Sequence, residues 1–273
     1  MRTLLTGRKM KAVDHYTIHE VGIPSLVLME RAALAVADCA LKAARAFAAH
    51  SPVWALCGVG NNGADAAAAA RMVYLKGLPA VIFLASSEEK ATEELKLQLS
   101  IARKLGIPVK KWELMKEEAE NCGILFDGLF GVGLSREIQG EYRACMELAA
   151  EILKGNGKTK PWCIAVDIPS GLAGEDNTWN DPETIVCAEY TFTFQFPKLA
   201  FMLAENEKYV GRWEVLDIGL HPEIIARQPT DWFYTTEDTV KAILPPSPVF
   251  AHKGTNGKGL LIAGSYGMMG AAV

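Results

Sequence analysis

The apolar residues of this chain fall into short runs that are separated by longer stretches with helical spacing. Short apolar runs bounded by glycine, proline and polar residues predict buried strands. Such strands are predicted at Val53–Cys57, Ala80–Leu84, 123–126, Trp162–Val166, Tyr190–Phe194 and 213–216. Amphipathic stretches predict helices between them, over 63–76, 88–105 and 141–153. Strands that alternate with helices are typical of an α/β fold, here a three-layer αβα sandwich with a mostly parallel central sheet.

Residues 1–50 are predicted to be helical. Met10, Val13 and Ile18 keep a helical spacing, and Gly-Ile-Pro at 22–24 ends the pattern. Ser25 is expected to cap a second helix, whose residues 28–49 are rich in alanine and leucine. Because alanine allows helices to pack closely, we expect this helix to lie against the sheet or against another subunit. A homodimer is therefore the expected assembly.

A proline-rich segment at 244–248 is the strongest candidate for a domain boundary, because proline cannot pair inside a central strand. We expect one domain over 1–235, a linker over 236–251 and a short final segment over 252–273. That segment offers a strand-like run at 260–263 and a glycine-rich turn, which is too little for a domain. An unpaired apolar strand is also expected to promote aggregation.

Composition places the chain among globular proteins, since 50% of its 273 residues are hydrophobic, 22% are charged and the formal net charge is −4. No block of basic residues is present, which argues against nucleic-acid binding. No apolar run approaches the ~20 residues of a membrane-spanning helix, and the N-terminus lacks the apolar run of a signal peptide. Six scattered cysteines without a C-x-x-C pair indicate free thiols in a reducing compartment, so a cytoplasmic location is expected.

The segment after the first central strand carries the first candidate chemistry. Residues 58–65 read Gly-Val-Gly-Asn-Asn-Gly-Ala-Asp and fit the G-x-G-x-x-G pattern between a strand and a helix. Backbone N–H groups at a helix start attract anions, so nucleotide or phosphate binding is favoured over a plain glycine-rich turn. A nicotinamide-dependent oxidoreductase is disfavoured, because the next strand ends in Leu-Ala-Ser-Ser at 84–87 without the acidic residue that holds the ribose.

Two further strand ends carry carboxylates, and ligands of open parallel sheets bind beyond such ends. Asp127 leads into a glycine-rich loop with Arg136, which is a candidate for pairing with a phosphate, the alternative being a solvated loop charge. Asp167 precedes Ile-Pro-Ser-Gly and is a candidate general acid or base, the alternative being a turn cap. Asn62, Asp127 and Ser170 could together supply oxygen ligands to a hard monovalent or divalent cation.

Lys198 is a further candidate. It follows Pro197 just beyond the alternating Thr-Phe-Thr-Phe sequence of the predicted strand Tyr190–Phe194. An ammonium group there could face an anionic ligand, the alternative being an ordinary solvated lysine.

Together these blocks resemble one family, the NAD(P)H-hydrate epimerases, over about residues 1–235. They follow the order of that family: GIPSLVLMERAA at 22–33, GVGNNGAD at 58–65, DGLFGVGL at 127–134, DIPSG at 167–171 and PK at 197–198. The resemblance implies a Rossmann-like αβα sandwich. The tail over 252–273 resembles the opening of the ribokinase-like ADP- or ATP-dependent NAD(P)H-hydrate dehydratase domain. We therefore expect a truncated bifunctional protein without dehydratase activity.

The resemblance implies an isomerase of cofactor repair that interconverts the R and S epimers of NADHX or NADPHX, which are hydrated at C6 of the nicotinamide ring. It implies K⁺ as the bound ion, held by Asn62, Asp127 and Ser170. The resemblance also implies that Asp167 contacts the substrate. Our own hypothesis for the mechanism is that Asp167 is the catalytic acid or base and that Lys198 aids catalysis electrostatically. The other substrate-binding residues implied are Asn61, Asn62, Gly63, Ala64, Asp65, Gly131, Val132, Gly133, Leu134, Ser135, Arg136 and Glu137.

The chain departs from the family pattern N-N-G-G-D-G, because alanine stands at positions 64 and 66. Each added methyl group could obstruct a close backbone approach to a ligand, or could be harmless if a helix has already begun there. A non-catalytic nucleotide-binding or dimerisation module of the same fold is therefore the alternative to an epimerase.

Overall fold

The computed structural model describes residues 2–46, 52–155, 160–244, 246, 248–255 and 257–270. Its strands are β1 Arg2–Thr3, β2 Val53–Cys57, β3 Ala80–Leu84, β4 Val109–Lys111, β5 Ile124–Gly128, β6 Trp162–Val166, β7 Tyr190–Phe194, β8 Arg212–Leu216 and β9 Phe233–Tyr234. Its α-helices are α1 Gly7–His19, α2 Ser25–Ala46, α3 Asn61–Leu75, α4 Glu93–Lys104, α5 Glu141–Lys154, α6 Glu207–Val210, α7 Pro222–Ala226 and α8 Glu237–Ile243. Among these described helices, none combines the length and the apolar character that crossing a bilayer requires.

Residues 3–232 form one compact unit, and its centre is a seven-stranded sheet in the order β4-β3-β2-β5-β6-β7-β8. Every neighbouring pair in this sheet is parallel, which confirms the predicted α/β class. The chain builds outward from β2 in one direction and from β5 in the other. Strand order therefore reverses between β2 and β5, and ligands of such sheets bind beyond the carboxyl ends of strands at such a reversal.

The central strands send alternate side chains to the two faces of the sheet. On β2, Ala55 and Cys57 join a core with α2 and α3, whereas Trp54 and Leu56 join a second core with α5. The consecutive alanines 66–70 of α3 are fully buried, and their small side chains let this helix lie close to the sheet and to α2. Helices on both faces give the three layers that the sequence predicted.

Two predicted helices differ in detail from the structure. The stretch predicted as one helix over 88–105 contains a 3-10 turn at Glu88–Lys90 and then α4, because Thr92 caps α4 with its side chain. Ser25 is the first residue of α2 and does not cap it, because no described backbone N–H donates to its hydroxyl, which itself donates a hydrogen bond to Glu94. The predicted continuation of this helix from 47 to 49 lies outside the described residues.

The second unit comprises residue 2 and the described residues from 233 onward, and it includes α8 inside the segment expected to be a linker. The strand predicted at 260–263 was wrong, because these residues have no regular structure. Leu260 and Ile262 are 86% and 88% exposed. An apolar run needs a partner strand to satisfy its backbone groups, and the described part of this unit supplies none.

Three glycines let backbone segments approach each other at the strand-order reversal. A Cβ atom on Gly58 would lie 2.0 Å from the carbonyl oxygen of Leu129, and a Cβ atom on Gly63 would lie 2.0 Å from the carbonyl oxygen of Gly58. A Cβ atom on Gly128 would lie 2.4 Å from the Cβ atom of Ala66. The turn after β2, the start of α3 and the end of β5 therefore pack backbone against backbone.

Gly63→Ala is expected to lower the free energy of unfolding by about 1–3 kcal/mol, because the new methyl group has no room and must displace backbone. Gly60→Ala is the matched control in the same turn, since Gly60 has open space at its Cβ position and a φ of −93°. Urea denaturation of the two variants beside the parent chain measures the difference. Equal stability of the two variants would contradict the close packing described here.

Candidate active site

A cleft of about 770 Å³ lies within the larger unit, at the carboxyl ends of the central strands. Its walls come from α1, α2, the start of α3, the loop after β5, and the segments that follow β6, β7 and β8. The predicted site residues that line this cleft are Asn61, Asn62, Asp65, Gly131, Val132, Gly133, Leu134, Ser135, Arg136, Asp167 and Lys198. The structure therefore brings together predicted residues from four separate segments of the sequence.

Asp167 and Lys198 form a buried ion pair in the cleft. The Nζ atom of Lys198 lies 2.7 Å from Oδ1 of Asp167, and the lysine is only 2% exposed. The same carboxylate oxygen accepts hydrogen bonds from the Thr193 hydroxyl and the Phe194 N–H, each at 3.1 Å. A buried ammonium group is tolerated only with a charged or strongly polar partner. Lys198 is therefore not the ordinary solvated lysine of the alternative interpretation.

Backbone strain is concentrated at the same place. Among the described residues other than glycine, only Asp167 and Gln195 have a positive φ, 69° and 60°, and both line the cleft. The Gln195 side chain accepts a hydrogen bond from the Ile218 N–H at 3.2 Å, and the Gln195 backbone N–H donates to the carbonyl of Leu216. These bonds tie the turn after β7 to the end of β8. Strained residues held in this way cluster at functional sites.

Asn62, Asp127 and Ser170 hold the loop after β5. The Ser170 hydroxyl donates to Oδ1 of Asp127 at 2.5 Å, and the Ser170 N–H donates to Oδ2 at 2.7 Å. The Phe130 N–H donates to the Ser170 hydroxyl, and the Asn62 side chain donates to the Phe130 carbonyl, both at 2.9 Å. The backbone N–H and carbonyl groups of Phe130 are therefore both held by predicted metal ligands.

The chemistry of this donor set fits a hard cation such as K⁺. Burial raises the pKa of the Asp127 carboxyl from 3.8 to about 6, although hydrogen bonds from Ser170 and Leu129 act in the opposite direction. All of its described hydrogen-bond donors are neutral, so no cationic side chain among them balances the buried carboxylate. Carboxylate, amide and hydroxyl oxygens are suitable ligands for a hard cation.

Asp14 is a cleft residue that sequence reasoning missed. It lies on α1 one turn from Met10 and one turn from Ile18, and all three residues line the cleft. Burial and the nearby charge of Asp167 raise the pKa of Asp14 to about 6. Burial, with the charges of Asp167 and Asp14, also raises the pKa of Asp65 well above its ordinary value. A carboxylate within the apolar spacing of a helix face was the signal that could have identified Asp14.

Three predicted substrate contacts do not reach the cleft. Gly63 and Ala64 lie inside α3, which begins at Asn61, and both are buried against the protein interior. Glu137 is exposed and lies beyond the part of the loop that lines the cleft. The alanines at 64 and 66 are likewise helical and fully buried, so their methyl groups do not obstruct the cleft.

Comparison with known sequences identifies relatives of the chain. A family model described as YjeF-related protein N-terminus matches residues 25–200. The NAD(P)H-hydrate epimerase of Oenococcus oeni is 35% identical over 217 residues, which are 80% of this chain and 97% of the relative. The NAD(P)H-hydrate epimerase of Weissella koreensis is also 35% identical, over 81% of this chain and 93% of the relative.

Longer relatives also match. The bifunctional NAD(P)H-hydrate repair enzyme Nnr of Moorella thermoacetica is 29% identical over 98% of this chain, but the match covers only 50% of that enzyme. The chain thus spans about half the length of this relative. Among solved structures, the crystal structure of yeast ynu0 matches with a TM-score of 0.63 at 20% identity, over 78% of this chain and 87% of that one. That likeness shows a shared fold.

Proposed function

This chain belongs to the family of YjeF-related protein N-terminal domains, and from that premise we propose that it is an NAD(P)H-hydrate epimerase. The reaction interconverts the R and S epimers of NADHX or NADPHX as part of cofactor repair. The observation that carries the proposal is the buried pair of Asp167 and Lys198 in a cleft bordered by the glycine-rich segments after β2 and β5. Such segments offer backbone N–H groups to phosphates, while the charged pair is suited to act on the reacting ring.

Epimerisation at C6 requires the hydroxyl group to leave and water to return on the other face. The hydroxyl departs as water when it gains a proton, and the lone pair of the ring nitrogen forms a planar iminium as the C6–O bond breaks. Water then adds to the opposite face and gives a proton to a carboxylate. We assign acid–base chemistry to Asp167, whose Oδ2 takes part in none of the described hydrogen bonds.

Lys198 supports this role by orienting the carboxylate. Its ammonium group, with the Thr193 hydroxyl and the Phe194 N–H, engages Oδ1 of Asp167 from three directions. The side chain of Asp167 is therefore held in one orientation, with Oδ2 left for the substrate. A carboxylate fixed in this way stabilises the cationic iminium without first having to reorient.

The remaining cleft residues suit the nucleotide part of the substrate. Asn61, Asn62 and Asp65 lie at the start of α3, where helix N–H groups attract phosphate. Arg136, at the end of the lining loop 131–136, takes part in none of the described ion pairs. Its guanidinium group is therefore available to a phosphate of the substrate.

K⁺ is the cofactor we propose, with Asn62, Asp127 and Ser170 as its ligands. The bound ion would supply a positive charge beside the phosphate-binding turns. Two of these ligands, Asn62 and Ser170, also hold the backbone of Phe130, so they fix the start of the loop that lines the cleft.

The bifunctional relatives support a proposal for the tail. The match to the Moorella thermoacetica enzyme extends over 98% of this chain and therefore beyond residue 235. We propose that residues 1–235 are the epimerase domain, that 236–251 form a linker, and that 252–273 correspond to the opening of the dehydratase domain. The exposed apolar run at 260–263 is in keeping with a segment that packs only inside a larger domain.

The cysteines support a reducing, cytoplasmic location. All six are free thiols, and four of them, Cys57, Cys122, Cys145 and Cys163, are buried. Buried free thiols are typical of proteins from reducing compartments.

Asp167→Asn is expected to lower the rate of R-to-S exchange by at least about a hundredfold, because an amide cannot accept or release the proton. Asparagine tolerates the positive φ at this position, so the fold should be preserved. Chromatography of R-NADPHX incubated with each protein in K⁺ buffer measures the exchange, and Asp231→Asn on an exposed residue is the control. No exchange above the spontaneous rate in the folded parent chain would indicate the non-catalytic binding module instead.

K⁺ should raise the melting temperature at pH 7.5, and about tenfold more K⁺ should be needed for the same shift at pH 5. The folded Asp127 carboxyl, with its pKa of about 6, is mostly protonated at pH 5 and must ionise to bind the ion. Without the ion, this raised pKa makes the folded state lose stability as the pH rises through 6. Asp127→Asn should abolish the K⁺ response, and an unchanged response would exclude this site.

We also propose a homodimer that forms through α2. Val27 and Leu34 lie two turns apart on this helix and are 41% and 46% exposed. Sedimentation velocity should give the dimer mass for the parent chain and the monomer mass for Leu34→Glu. Leu114→Glu is the control and should remain dimeric, because Leu114 lies beside a residue of the core on the other face of the sheet from α2. A monomeric parent chain would contradict the proposal.

A further inference from the structure

A second acid–base group is available in the cleft. Asp14 lines it from α1, a different element from the turn that carries Asp167. Among the described residues, the Asp14 side chain makes no hydrogen bond and no ion pair, although it is half-buried. Its carboxyl group therefore has no described protein partner and lines the cleft. An unpartnered carboxyl group in a cleft of this kind is a candidate for proton transfer.

The proposed reaction needs more than one proton-transfer function. The hydroxyl group must gain a proton as it leaves one face of the ring, and the returning water must lose a proton on the other face. Oδ1 of Asp167 accepts three hydrogen bonds, which leaves a single oxygen, fixed in direction, for the substrate. One fixed oxygen cannot serve both faces of a ring that is itself held in place.

Resting on the proposed epimerase function, we propose that Asp14 is a second catalytic acid–base residue, which acts on the face of the ring that Asp167 does not reach. In one direction, the Asp14 carboxyl gives its proton to the hydroxyl, the C6–O bond breaks and the ring nitrogen shares its lone pair to form the iminium. Water then forms the new C6–O bond and gives its proton to Asp167. Exchange with solvent returns one proton to Asp14 and removes one from Asp167, and the reverse reaction exchanges their roles.

The electrostatic surroundings of Asp14 suit this task. Charged and titratable groups that face the cleft with it are Lys11, Asp65, Arg136, Tyr142, Asp167 and Lys198. Burial and the Asp167 charge raise the pKa of Asp14 to about 6, and Lys198 opposes them in part. A group with a pKa near the working pH both releases and regains a proton readily.

Asp65 is less suited to transfer, because it lies in the segment assigned to substrate binding. Burial is the main cause that raises the pKa of Asp65 well above its ordinary value, and the charges of Asp167 and Asp14 add to it. Asp14 is therefore the residue to substitute in the experiment.

The test compares Asp14→Asn with Glu20→Gln. The second variant removes an exposed carboxylate just after the last residue of α1. Exchange of R- and S-NADPHX is followed in K⁺ buffer from pH 5 to pH 8. Asp14→Asn should lower kcat by about 10²–10⁴-fold with little change in KM, because binding is retained and proton transfer is lost. In the parent chain, kcat in the direction of exchange that uses Asp14 as the acid should fall as the pH rises above about 6, and this decline should be absent in the variant.

Asp14→Glu keeps the carboxyl group and should retain exchange with the pH-dependent decline displaced, which separates chemistry from folding. Parental kcat and pH dependence in Asp14→Asn would overturn the inference while leaving the epimerase intact. An inactive parent chain would instead remove the proposed function itself. Asp14→Asn and Asp14→Glu could both lose activity while the residual rate keeps the parental pH profile. That result would indicate a structural role for Asp14 and would also overturn the inference.

Discussion

At the point where the sheet reverses its strand order, three backbone segments approach each other more closely than any side chain allows. Gly58 packs on the Leu129 carbonyl, Gly63 packs on the Gly58 carbonyl, and Gly128 packs on Ala66. This contact sets the start of α3 beside the loop after β5. The backbone N–H groups at the start of α3 and the lining residues of the loop after β5 can then face the same ligand. The remaining cleft residues lie mainly on α1, on α2 and on the segments that follow β6, β7 and β8.

Burial of charge gives the cleft its chemistry. Asp167 and Lys198 compensate each other away from water, and the carboxyl groups of Asp14 and Asp65 lie close enough for the Asp167 charge to raise the pKa of both. Carboxylates that lie near one another repel, which lowers the stability of the folded protein. Such a loss of stability is common at catalytic sites. The strained backbone at Asp167 is a second cost at the same place.

The sequence predicted the sheet well because its strands are short apolar runs at the centre of the fold, and β4 was missed because its Val-Lys-Lys sequence carries no such signal. The strand-end residues were predictable from motif order, since parallel strands bring their carboxyl ends to one edge. Asp14 was not, because only the packing of α1 places it in the cleft. The burial of Gly63 and Ala64 away from the cleft was also not predictable, because it depends on α3 beginning at Asn61.

Exchange of the C6 hydroxyl with solvent distinguishes dehydration followed by rehydration from any route that keeps the original oxygen. The purified chain would be given S-NADPHX in water labelled with the heavy oxygen isotope, and each epimer would be analysed by mass spectrometry as the mixture equilibrates. Departure and return of water predict that every molecule of R epimer formed carries the heavy isotope, at the rate of epimer exchange. Formation of R epimer that retains the original oxygen would contradict the dehydration–rehydration route on which the roles of Asp167 and Asp14 rest.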